Sequence, residues 1–142
     1  MYIFLAFGIF QIKRETVMSI DFKSAKGIFL QIAENICHQI LEGKLPVGER
    51  VPSVRDIAAD FEVNRNTVLR TYALLDDKGI IENKRGVGFF VSDRAIEIIQ
   101  ADERKEFFRT ELPEFIQKVK LLNLTENDLS ELLSVIKNKQ SQ

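Results

Sequence analysis

The chain has 142 residues, of which 45% are hydrophobic and 29% charged, and its net charge is -1. This is the composition of one folded domain, or one domain with a small appendage, and it excludes a chain that is basic overall. One cysteine, Cys37, excludes an intrachain disulfide and fits a reducing, cytoplasmic setting. Cys37 and the single histidine, His38, lack partners for a metal cluster. No Ser/His/Asp constellation or glycine-rich phosphate loop can be argued, so the residues support no catalytic role, cofactor or metal.

In chain order, Met1–Ile12 is strongly apolar but has no basic n-region and no small-residue cleavage site. It is also too short for a membrane span of about 20 residues. Residues 1–17 are read as an extension upstream of a natural start at Met18; the rival is an ordered apolar arm or weak membrane anchor. From Lys26 to Leu41, Ile28, Phe29, Ile32, Ala33, Ile36, Ile40 and Leu41 recur at three and four, which predicts a helix with one broad apolar face. Gly43 is its expected stop. Cys37 and His38, on the margin of that face, read as packing or surface residues. Leu45-Pro46-Val47-Gly48 is a turn-rich connection, and Val51 is expected in a short strand.

Val51 to Arg70 predicts two helices joined by a tight turn. Ser53 can cap the first, with Asp56 three residues on completing a capping box, and Pro52 fixes an extended approach. Ile57, Ala58 and Phe61 give it a narrow apolar face. Glu62-Val63 makes the turn, and Asn64 caps the second helix, where Val68, Tyr72 and Leu75 at i, i+4, i+7 face a core. Its first turn carries Arg65, Asn66 and Thr67. A helix N-terminus offers free N–H groups and positive dipole character, so stability alone would favour Asp or Glu there. Arg and Asn are instead the side chains that read guanine and adenine edges bidentately, and helix-turn-helix proteins place base readers at this position.

Lys78-Gly79 ends the second helix. Ile80–Asn83 and Phe89–Ser92 are short β-prone runs around Lys84-Arg85-Gly86-Val87-Gly88, which predicts a hairpin with a basic, glycine-containing tip. Lys84 and Arg85 supply charge and glycine allows close backbone approach. A basic hairpin directly after two such helices is the wing of a winged helix. Although the chain is nearly neutral, Arg50, Arg55, Arg65, Arg70, Lys78, Lys84 and Arg85 concentrate in this region, as phosphate contact requires.

From Ser24 to Ser92, with GKLPVGERVPSVRDIAADFEVNRNTVLRTYALLDDKGIIENKRGVGFFV after the first helix, the chain resembles the GntR family of bacterial transcription regulators. The resemblance implies a dimer on a two-fold-symmetric operator. It also implies DNA contacts at Arg55 in PSVR, at Arg65, Asn66 and Thr67 in VNRNT, and at Arg85 with Gly86 in the wing. Ser53 would sit close to phosphate, and Arg70 and Tyr72 match positions near the backbone or core. Many members carry Arg-Gly-Lys-Gly or His-Gly at the wing tip, whereas this chain has Arg85-Gly86-Val87-Gly88.

The remainder, 93–142, predicts two or three helices. Ala95, Ile98, Ile99, Phe107 and Phe108 suggest the first, with a kink or restart near Thr110 ahead of Pro113. Leu112, Phe115, Ile116, Val119 and Leu122 continue at helical spacing, and Asn123 breaks it. Thr125 with Asp128 would cap a last helix bearing Leu129, Leu132, Leu133 and Ile136. These stripes cannot be buried alone, and about fifty residues cannot wrap a drug-sized cavity of roughly 300–1,000 Å³. A dimer contact through Phe115, Val119, Leu122, Leu129, Leu132, Leu133 and Ile136 is expected, not an effector domain. A short helical tail is similar to that of the YtrA-like subgroup, whose members often regulate nearby transporter operons.

The fold expected is therefore mainly α with a small β-hairpin: a winged helix-turn-helix over 18–92, then a helical dimerisation segment over 93–142. The function expected is a DNA-binding repressor, homodimeric on double-stranded operator DNA, with no membrane partner. The alternative is a winged-helix protein-interaction module, which the basic first turn disfavours because protein interfaces are depleted in charge at their centre. GntR-type heads are also fused to aminotransferase-like enzymes, but this tail offers no lysine-centred cofactor pocket.

Overall fold

The computed structural model describes residues 27–140; the apolar stretch 1–12, Met18 and Lys26 lie outside the described residues. Helix α1, Ile28–Leu41, buries Ile32, Ala33, Ile36 and Ile40, the stripe expected from their spacing. Helices α2, Val54–Asp60, and α3, Arg65–Asp77, form the predicted pair. The Ser53 hydroxyl oxygen accepts the Asp56 N–H at 3.1 Å and its O–H donates to the Asp56 carboxylate at 2.6 Å, so α2 begins on a closed cap. Glu62 makes the turn at φ 53°, a left-handed angle that costs a residue with a Cβ about 1–2 kcal/mol. This lets the Val63 N–H reach the Ala58 carbonyl at 3.0 Å and satisfy the end of α2. Asn64 then caps α3, its side-chain oxygen accepting the Asn66 N–H at 2.8 Å.

The rear of α3 buries Val68, Thr71, Tyr72 and Leu75. Thr71 is a polar residue in that stripe, and its hydroxyl is satisfied by donating to the Phe29 carbonyl of α1 at 2.8 Å. The hairpin strands are β1, Ile81–Lys84, and β2, Gly88–Val91, paired antiparallel with Ile81 opposite Val91 and Lys84 opposite Gly88. Each lies one residue closer to the tip than expected. Ile80 and Ser92 are occupied at the base: the Ile80 N–H closes α3 on Leu75, and the Ser92 N–H and O–H reach the Ile80 and Gly79 carbonyls. Val51 lies in no strand. The pairing is a single bridge one residue earlier, Arg50 to Phe90, flanked by the Val51 N–H on the Phe89 carbonyl at 2.8 Å and the Val91 N–H on the Glu49 carbonyl at 2.9 Å.

The first compact unit runs to Ala101, and Ala95 and Ile99 of α4, Ala95–Glu106, are buried in its core. The second unit runs from Asp102. There α4 passes through a π-helical turn, Phe107–Glu111, into α5, Leu112–Leu121, and the backbone stays right-handed helical at Glu106, Glu111 and Leu112. The break expected near Thr110 is thus a widened turn. Pro113 lacks an N–H and its ring would strike the carbonyl four residues back; the π turn displaces that carbonyl and keeps the rod helical. Asn123, at φ 50°, ends the rod as expected. The Thr125–Asp128 box forms, with the Asp128 carboxylate accepting the Thr125 N–H and O–H, each at 2.8 Å. It holds a turn, and the regular helix α6 starts later, Ser130–Lys139, leaving Leu129 at the cap. No described residue from Asp102 onward is buried. Among the described residues no helix is long and apolar enough to cross a membrane.

Candidate nucleic-acid interface

The first turn of α3 presents Arg65 and Asn66 exposed: Asn66 faces away from the buried stripe, where Val68 is 0% exposed and Tyr72 1%, and Arg65 clears that stripe at the open end of the helix. The cause is local. Asn64 takes the Asn66 N–H and its carbonyl takes the Thr67 N–H at 3.0 Å, so the helix end is closed from within and the Arg65 and Asn66 side chains are left outward. Thr67 is half-buried, with its carbonyl accepting the Thr71 hydroxyl at 3.2 Å.

Two contacts fix the direction in which α3 points. The buried Tyr72 hydroxyl donates to the Pro52 carbonyl, tying α3 to the chain that leads into α2. Its ring meets Phe89 of β2 edge-on at 5.1 Å, tying α3 to the hairpin. Burial, and then the nearby Asp56 charge, push the Tyr72 phenol well above its ordinary range, so it stays a neutral donor.

Arg55 is exposed on α2 beside the cap. Ser53 is exposed too, but its hydroxyl is engaged with Asp56. Arg70 lies away from the first turn of α3, its guanidinium carbon 3.8 Å from the centre of the Phe29 ring. Stacked there it braces α3 on α1, a role the sequence pattern does not reveal because the two are far apart in the chain. Lys84 closes β1 with its ammonium 4.4 Å from the centre of the Phe90 ring. Arg85 and Gly86 are exposed at the tip, where Gly86 takes φ 77°. Sequence reasoning missed Leu69, half exposed on α3 off the core register, and the seating of Arg50 on the hairpin. Leu69 could have been found as the apolar residue one turn beyond Arg65.

Phe115, Leu122, Leu132 and Ile136 of the second unit are exposed, Leu122 at 66%, and Val119, Leu129 and Leu133 are half-buried. Among the described residues no His/Cys/Asp/Glu group could hold a metal.

A capped helix pair followed by a short antiparallel hairpin is a winged helix-turn-helix, the fold of a DNA-binding transcriptional regulator. Residues 29–91 match the bacterial regulatory proteins of the gntR family. The chain is 39% identical over 115 residues to the helix-turn-helix-type transcriptional regulator YhcF of Bacillus subtilis (strain 168), a match covering 80% of this chain and 93% of YhcF. It is 37% identical over 79 residues to the transcriptional repressor YtrA of the same organism, covering 56% of this chain and 61% of YtrA. A solved GntR family transcriptional regulator from Listeria monocytogenes superposes with a TM-score of 0.61 at 29% identity, over 82% of this chain and 98% of that one. The chain belongs to the gntR family and is similar to its YtrA-like members.

Proposed function

We propose that this protein is a repressor that binds a two-fold-symmetric operator as a homodimer. Arg65 and Asn66 read base edges in the major groove. Thr67, Arg55 and Ser53 lie along the adjoining backbone, and Lys84, Arg85 and Gly86 approach the flanking minor groove. Arg70 supports this surface from its seat on Phe29.

The observation that carries the reading is the exposed first turn of α3, a guanidinium and a carboxamide side by side, on a helix whose later turns are anchored by buried Val68, Thr71, Tyr72 and Leu75. The pairing of copies is supported by the uncovered apolar side chains of the second unit, Phe115, Leu122, Leu132 and Ile136 among them. The repressor sense is supported by similarity to YtrA, which is named a repressor.

Selection of bound sequences from random duplexes tests it. A palindromic consensus is expected, and Arg65→Ala should relax base choice at one position per half-site at a cost of about 1–3 kcal/mol. Lys44→Ala, which removes only the Lys44–Glu42 pair at 2.6 Å, should leave affinity unchanged. A consensus without symmetry, or an Arg65→Ala variant with full affinity and specificity, defeats the proposal.

A further inference from the structure

The outward face of the wing carries one cation of the basic region, Arg50, to which the operator-binding surface above gives no role. Residues opposite each other in antiparallel strands share a face, and so do residues two apart. Arg50 is opposite Phe90, Phe90 opposite Glu82, and Lys84 opposite Gly88. Arg50, Phe90, Glu82, Lys84 and Gly88 therefore lie on one face, while Val51, Ile81, Phe89 and Val91 turn into the core.

On that face the Arg50 guanidinium lies over Gly88. A Cβ built on Gly88 would stand 2.9 Å from Nε and 3.2 Å from Nη2 of Arg50. Gly88 also takes φ 131°, which a side chain would resist. The positive φ is what favours glycine here, and the bare backbone forms a seat for the guanidinium, which a Cβ would push aside. Lys84, across the strand from that seat, holds its ammonium against Phe90. Glu82 is the acid on this face, and β2 separates it from Arg50. Among the described residues no acid is paired with Arg50.

We infer that Arg50 is a phosphate-binding residue of the wing: its guanidinium, seated on Gly88 beside Lys84, takes one backbone phosphate flanking the half-site. This rests on the operator-binding reading above. A planar guanidinium matches phosphate in a fork, and one already packed against backbone loses little freedom on binding. Such a contact positions the wing and carries no base preference.

The test measures operator affinity from 50 to 200 mM salt for the full chain, Arg50→Ala and Arg50→Lys, on the duplex selected by the wild type. Loss of one phosphate contact should flatten the log–log salt slope by about 0.9. The deficit of Arg50→Ala should therefore shrink about 3.5-fold across that range, with the selected base consensus unchanged. Arg50→Lys should keep the wild-type slope. A weaker Arg50→Ala variant with an unchanged slope would make Arg50 a brace only and overturn the inference, as would unchanged affinity; both leave operator binding standing. A wild-type chain that selects no duplex would overturn both readings together. Thermal melting of each variant separates these outcomes from unfolding.

Discussion

Replacing Tyr72 by Phe tests how the reading helix is held. The change removes one oxygen and keeps the ring against Phe89. The bond lost is the donation from the Tyr72 hydroxyl to the Pro52 carbonyl. A net intramolecular hydrogen bond contributes about 1 kcal/mol, which is the cost expected here. For a unit of this size that lowers the melting temperature by about 5 °C. Tyr72 also makes a pH prediction with a definite sign. Its folded-state pKa is raised above the ordinary 10.0, so its contribution is complete below pH 10. It is lost as pH rises further, because the unfolded phenol ionises first. The stability gap between wild type and Tyr72→Phe, measured by urea denaturation, should therefore be constant at neutral pH and narrow above pH 10. Equal stability at pH 7, or a gap that widens in alkali, would refute the assignment of this hydroxyl as a buried neutral donor.

Other outcomes follow from the same structure. Glu62→Gly should stabilise the first unit by about 0.5 kcal/mol, relief of the left-handed strain exceeding the added freedom of the unfolded chain, as read by chemical denaturation. The Asp128 carboxyl is held below its ordinary 3.8 by the Thr125 N–H and then its hydroxyl, so the turn's contribution is present above that pH and fades as pH falls through the lower folded-state value. In Thr125→Ala the carboxyl should rise only partway back, since the backbone donor remains, as carboxyl NMR titration would record. Glu at both Leu132 and Ile136 should abolish self-association in sedimentation while the first unit melts at an unchanged temperature, because these exposed side chains support no core of their own.

Much of the local structure was legible in the residues themselves. Ser53, Asp56, Asn64, Thr125 and Asp128 act over spans of two or three residues, so their hydrogen bonds are fixed by chain-local geometry and appear where spacing puts them. The buried stripes of α1 and α3 follow from helical periodicity in the same way. The tertiary structure decided what depends on distant partners. Arg70 reads as one more cation of a basic stripe until Phe29 is found beneath it. The widened turn ahead of Pro113 is a choice between breaking a rod and loosening it, which the proline alone does not make. Arg50 sits before the helix pair in the chain yet belongs to the wing, because antiparallel pairing carries Phe90 and Gly88 back to it. Local hydrogen bonds and periodicity are written into neighbouring residues; the seating of a side chain on a remote strand or ring exists only once the chain has closed on itself.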